Sequence, residues 1–75
     1  MSKLPAIRAR DLVRAAETAG FVFDRQRGSH AVYYRESDRR RIVIPMHAGQ
    51  DLKPGTLRAI IADLGLTGDE FIALL

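Results

Sequence analysis

The stretch FVFDRQRGSHAVYYRESDRRRIVI, Phe21 to Ile44, decides the fold. Its first part, Phe21-Val22-Phe23-Asp24-Arg25-Gln26, alternates with Phe21 and Phe23 on one face, the period of a strand. Arg27-Gly28-Ser29 breaks that alternation. His30-Ala31-Val32-Tyr33-Tyr34-Arg35 is β-branched and aromatic, and reads as a second strand. Glu36-Ser37-Asp38-Arg39-Arg40 is a polar turn, and Arg41-Ile42-Val43-Ile44 is a third strand closed by Pro45. Three strands joined by two short turns predict an antiparallel meander.

A lone meander cannot bury its apolar face, so the flanks must cover it. Upstream, Ala9, Leu12, Val13, Ala16 and Ala19 recur at spacings of three and four, one stripe of an amphipathic helix that Gly20 ends. Asp11 suits the positive end of that helix, whereas Arg8 is a poor N-cap and predicts a frayed first turn. Downstream, Met46 to Leu52 reads as a loop. Pro54 opens a second helix with Leu57, Ile60, Ile61 and Leu64 inward, and Gly65 stops it. Thr67-Gly68-Asp69-Glu70 matches a capping box for a last short helix through Phe71, Ile72, Leu74 and Leu75. The expectation is one α+β domain over residues 1–75. It has the order α-β-β-β-α, with helices packed on one face of a three-stranded antiparallel sheet and a short C-terminal helix.

The chain has 75 residues, too few for a two-domain enzyme, a doubly wound nucleotide fold or a barrel. Hydrophobic residues make up 47% and charged residues 28%, which fits an ordinary globular protein. With no Cys, a disulfide framework and a thiolate metal site are both excluded, and the composition suits a reducing cytosol. No apolar run approaches the roughly 20 residues that span a bilayer. The start, Met1-Ser2-Lys3-Leu4-Pro5, lacks the apolar core of a secretory leader. A cytoplasmic protein is expected.

Charge gives the first functional pointer. Twelve basic residues stand against nine acidic ones, and every base lies at or before Arg58. Ten of the twelve are Arg, whose planar fork suits bidentate contact with phosphate. A polyanion such as nucleic acid fits this body, although a solvated basic face would carry the same charge.

The catalytic inventory is short. There is no phosphate-binding glycine loop, no nucleophile elbow and no H-E-x-x-H, and two histidines without a carboxylate cluster do not make a zinc site. His30 and His47 are the side chains suited to proton transfer near neutral pH. With the hairpin turn centred on Asp38, His30 would face Met46, and both imidazoles would sit at one open end of the hairpin beside the Arg27-Gly28-Ser29 turn. RNA cleavage by the 2′-OH needs a base for that proton, an acid for the departing 5′-oxygen, and cations for the anionic transition state. Imidazole serves either transfer, Arg25 and Arg27 can hold phosphate, and Gly28 lets the backbone approach. A single strand-start histidine with only a structural role has the same local sequence.

Gly20-Phe21, Arg25-Gln26-Arg27-Gly28-Ser29-His30, Ile44-Pro45-Met46-His47 and Leu52-Lys53-Pro54-Gly55-Thr56-Leu57-Arg58-Ala59-Ile60, in that order, resemble the HicA family of bacterial toxins, the mRNA interferases. The combination of G-S-H, P-x-H and L-K-x-G-T-L carries the resemblance; any one alone would be weak. It implies a double-stranded-RNA-binding-domain-like fold, a metal-independent endoribonuclease that cleaves mRNA without the ribosome, no cofactor, and neutralisation by a HicB-type antitoxin. The family's catalytic histidine falls on His30, with Gly28 and Ser29 before it, and His47 matches the histidine of P-x-H. Candidate RNA-binding residues are Arg25, Arg27, Lys53 near the start of the second helix, and Arg41 of the Arg39-Arg40-Arg41 triplet. Tyr33 and Tyr34 point to opposite sheet faces, so one packs in the core and the other is free to stack on a base. The rival readings are a non-catalytic RNA-binding module of the same fold and a protein-interaction domain.

Overall fold

Six elements follow the order read from the sequence: α1 (Ala9–Thr18), β1 (Val22–Arg27), β2 (His30–Arg35), β3 (Arg40–Pro45), α2 (Pro54–Asp63) and α3 (Gly68–Ala73). The computed structural model describes residues 4–75. The leading Met1-Ser2-Lys3, read above for a secretory leader, lies outside the described residues. The strands form one antiparallel sheet in the order β1-β2-β3. The architecture is α+β, the α-β-β-β-α arrangement of double-stranded-RNA-binding-domain-like folds.

Register assigns the two faces. Ala31 lies opposite Ile44 and Tyr33 opposite Ile42, and all four are buried under the helices. They meet Leu12, Ala15 and Ala16 of α1, Leu57, Ile60 and Ile61 of α2, and Phe71 of α3 in one core. Fully burying the Leu, Ile and Phe side chains among them contributes roughly 1.5–3 kcal/mol each, the main favourable term available to a chain without disulfides. Both long helices pack on β3, leaving β1 as an overhang exposed along its whole length. Phe21 is therefore buried, whereas Phe23 stays 55% exposed even though its ring meets Tyr33 edge-on, centroids 5.7 Å apart.

The opposite face carries no helix. Alternation puts Val22, Arg25, Arg27, His30, Val32, Tyr34, Arg41 and Val43 on it. Of the two tyrosines, Tyr33 is the core residue and Tyr34 lies half-buried on this open side.

One expectation about register is corrected. His30 pairs with Pro45, not with Met46, and Arg35 pairs with Arg40. The loop between β2 and β3 therefore has four residues, Glu36 to Arg39, and its centre falls before Asp38. Arg39 takes φ +56°, a left-handed conformation that closes this loop. Asp38 organises it by accepting from Arg35 Nε at 3.0 Å and Nη2 at 2.7 Å. The Arg35 hydrogen bonds hold the Asp38 carboxyl well below its usual 3.8, at about 2.

Two arginines of this hairpin then close helix ends. Arg35 Nη1 donates to the carbonyl of Ala19, the α1 C-cap, at 2.7 Å, and its guanidinium lies 4.5 Å from the Phe21 ring centroid. Arg40 Nη1 donates to the carbonyl of Asp63, the last residue of α2, at 3.2 Å. Cations at helix C-termini satisfy orphan carbonyls and complement the helix dipole. At the other end of α1, fraying is not what is seen. The Asp11 carboxylate accepts from the Arg8 backbone N–H at 3.2 Å, and Arg8 forms an isolated β-bridge to Asp51. The capping box of α3 is present as read: Glu70 N–H donates to Thr67 Oγ1 at 3.1 Å, and Thr67 N–H to Glu70 Oε1 at 2.8 Å. Of the terminal apolar residues, Phe71 is fully buried and Leu75 is half-exposed.

Candidate active site

The β1–β2 connection is a two-residue hairpin, Gly28-Ser29, between the paired Arg27 and His30. Gly28 has φ +60°, the first-position requirement of a turn whose twist matches the strands it joins. His30 thus leaves the turn on the open face, directly across from Arg27 on one side and Pro45 on the other.

His47 reaches the same place by a backbone tether. Met46 N–H donates to the Ser29 carbonyl at 2.6 Å, so pairing between the hairpin and the third strand continues past Pro45. The loop then turns, with Gln50 N–H donating to the His47 carbonyl at 3.2 Å. It is pinned at its far end by Leu52 N–H on the Ile7 carbonyl at 2.7 Å. Arg8 Nε and Asp51 Oδ1, 3.7 Å apart, add an ion pair there. One end of the loop is thus fixed to the β1–β2 turn and the other to the segment that enters α1.

A cleft of about 260 Å³ results, lined by His30, Pro45, His47, Gln50, Asp51, Leu52, Lys53 and Thr56. Of the residues singled out in the sequence, His30, His47 and Lys53 share it. Both imidazoles and the Lys53 side chain are exposed to solvent. Lys53 is the residue before Pro54, and α2 begins there without a side-chain cap. Gln50, Asp51 and Thr56 were missed, because a loop position and a first-turn hydroxyl carry no spacing signal of their own.

The arginines divide. Arg27 stands beside His30, and among the described residues no ion pair engages Arg27 or Lys53. Arg25 is on the same face because β1 has a bulge between Phe23 and Arg25, which shifts the alternation by one. The bulged Asp24 takes an ion pair from Arg25 at 2.8 Å and a longer one from Arg41 at 3.9 Å. Arg41 lies across from Tyr34 with its guanidinium 5.0 Å from the ring centroid. It belongs to the open face but not to the cleft: four residues of strand separate Tyr34 from His30, about 13 Å. Arg40, by contrast, is held by the Asp63 carbonyl of α2 and by an ion pair with Asp38 at 3.1 Å.

Among the described residues no three of His, Cys, Asp and Glu converge in a way that could hold a metal ion. No helix there is long and apolar enough to cross a membrane.

The surface therefore presents an imidazole cleft at one end of an arginine-bearing sheet face. No curated protein matches the chain. The model of one protein family, described as the HicA toxin of bacterial toxin–antitoxin systems, matches residues 9–66, from the first residue of α1 to just past the end of α2. That span takes in the whole sheet, the Gly28-Ser29-His30 turn and the cleft-lining loop, and it makes this chain a member of the HicA toxin family.

Proposed function

We propose that this toxin is a ribosome-independent endoribonuclease that cleaves mRNA, with His30 as its essential general acid or base. The observation that carries the reading is the cleft itself, in which an exposed imidazole stands with the ammonium of Lys53 and beside the unpaired guanidinium of Arg27. In this chemistry the 2′-oxygen attacks the adjacent phosphorus, the bond to the 5′-oxygen breaks, and a 2′,3′-cyclic phosphate is left. Imidazole is suited to moving a proton at either oxygen near neutral pH. Lys53 and Arg27 offset the charge of the crowded phosphorane, the larger part of the barrier in such reactions. Gly28 and Ser29 shape the turn that presents His30, and Arg25 and Arg41 extend the cationic track along the sheet.

As a toxin of a toxin–antitoxin system the protein has an antitoxin partner. The reading assigns this role to a HicB-type protein with an acidic surface that covers the His30 end of the sheet in the cytoplasm. Opposite charge would speed association and exclude RNA by competition for the same arginines.

The test is incubation of purified toxin with structureless RNA in excess chelator. Cleavage should persist and yield 2′,3′-cyclic phosphate or its 3′-phosphate hydrolysis product. Activity lost to EDTA and restored by Mg²⁺ or Mn²⁺ would sink the mechanism. RNA bound but left intact would favour a non-catalytic module.

A further inference from the structure

We infer that His47 is the second proton-transfer group of the cleft and moves its proton in the sense opposite to His30, an inference that rests on the ribonuclease reading above. Transesterification requires two transfers at two oxygens on opposite sides of one phosphorus. One group accepts the 2′-OH proton as the 2′-O–P bond forms. The other donates a proton to the 5′-oxygen as the P–O5′ bond breaks. A single imidazole could pass the same proton on, but in an in-line displacement the two oxygens lie on opposite sides of the phosphorus, so it would have to reach both. Two imidazoles in one cleft divide the work: one gains a proton as the other loses one, with no net change for the pair.

The geometry supplies that pair. His30 and His47 lie one residue beyond the two ends of the Ser29–Met46 backbone hydrogen bond and line the same 260 Å³ cleft, a volume that suits one phosphodiester and its flanking riboses. They reach it from different elements, His30 from the first position of β2 and His47 from the pinned loop. The loop that carries His47 is anchored at Met46 and at Leu52 and does not depend on the imidazole for its own hydrogen bonds. His47 also borders a second hollow with Arg8, Ala9, Arg10, Met46, Ala48 and Gly49. The charged groups around it are thus Asp51 and Lys53 across the cleft, Arg8 and Arg10 from the start of α1, and Arg27 beyond His30.

The experiment compares the full-length toxin with its His30→Ala, His47→Ala and His47→Gln variants on two substrates. One is a dinucleotide with a normal 5′-oxygen leaving group. The other is a uridine 3′-(4-nitrophenyl phosphate), whose phenolate departs without a proton. Wild type should show a bell-shaped pH dependence of kcat/KM on the dinucleotide. His47→Ala and His47→Gln should lose at least about 100-fold on it and keep one limb of the bell, the scale of a lost acid–base catalyst. Binding of a 2′-deoxy, non-cleavable analogue should change less than about twofold. One member of the His30→Ala and His47→Ala pair, and only one, should recover on the nitrophenyl substrate; that variant lacks the general acid. A His47→Ala variant within about tenfold of wild type on the dinucleotide overturns the inference. So does an equal response of both variants to the better leaving group. A wild type that cleaves neither substrate fails the ribonuclease reading itself, a separate result.

Discussion

The backbone N–H of Met46 donates to the carbonyl of Ser29 across 2.6 Å, and the residue following each of these is a histidine. This one bond ties the P-x-H segment to the G-S-H turn, and a cleft lined by both imidazoles follows from it. It also accounts for how two motifs seventeen residues apart in the chain come to share a site. The sheet supplies rigidity, and the side chains that chemistry needs stand at its rim rather than in its interior.

Asp38 predicts an acid sensitivity confined to a narrow window. Its carboxyl is held at about 2 in the folded chain, below the usual 3.8, chiefly by hydrogen bonds from Arg35. A depressed folded value means stability that is fully present above 3.8 and is lost as pH falls through about 2. Acid titration of Asp38→Asn should show reduced stability at neutral pH and a shallower loss between about pH 4 and 2 than wild type. Parallel curves would show that the Arg35 contact contributes nothing.

Gly65 predicts a coupled effect. A Cβ there would stand 2.9 Å from Arg40 Nη1, and the residue holds φ +80°. Gly65→Ala should therefore cost about 1–2 kcal/mol for the left-handed backbone and displace Arg40 from the Asp63 carbonyl. In a double-mutant cycle with Arg40→Ala, measured by urea unfolding, the double variant should lose less than the two single losses added together. Strict additivity would mean that Arg40 yields without losing its bond.

Much of this was legible in the sequence, and the failures have particular causes. The helix stripes, both helix-ending glycines and the Thr67 capping box were readable because each is a local signal acting within about four residues. The β2–β3 register was misplaced by one. A polar run of Arg and Asp does not reveal that Arg39 takes a left-handed φ and that Asp38 binds Arg35. The β1 bulge was invisible for a related reason. Asp24 to Arg27 are all polar, so no alternation is left there for an inserted residue to break, yet the bulge is what brings Arg25 to the open face, across from Val32. The triplet Arg39-Arg40-Arg41 looked uniform, but tertiary contacts split it into a loop residue, a helix-end donor and an open-face residue.

RNA binding should follow that split. Arg27→Ala and Lys53→Ala should weaken binding across sequences, and each should flatten the dependence on log salt by about one unit. Arg25→Ala should do less, since Asp24 already holds its guanidinium at 2.8 Å. Binding of a non-cleavable RNA from 50 to 300 mM salt checks this. Unchanged slopes for Arg27 and Lys53 would put the RNA elsewhere.

Antitoxin binding should shield His30. Its exposed imidazole should react with diethyl pyrocarbonate in free toxin and resist it in the co-expressed complex, as read by peptide mass. Equal reactivity in a fully inhibited complex would mean that inhibition is allosteric.

The central claim is that the His30 imidazole transfers a proton during RNA cleavage. Its most direct test is the cleavage rate of His30→Ala on a fluorescent single-stranded RNA, with folding confirmed by circular dichroism and RNA affinity measured in parallel. His30 is exposed, so the variant should fold and bind RNA as wild type does, while cleavage falls by at least about 100-fold, the usual worth of a positioned acid–base group. Cleavage by the folded variant at near wild-type rate would contradict the account.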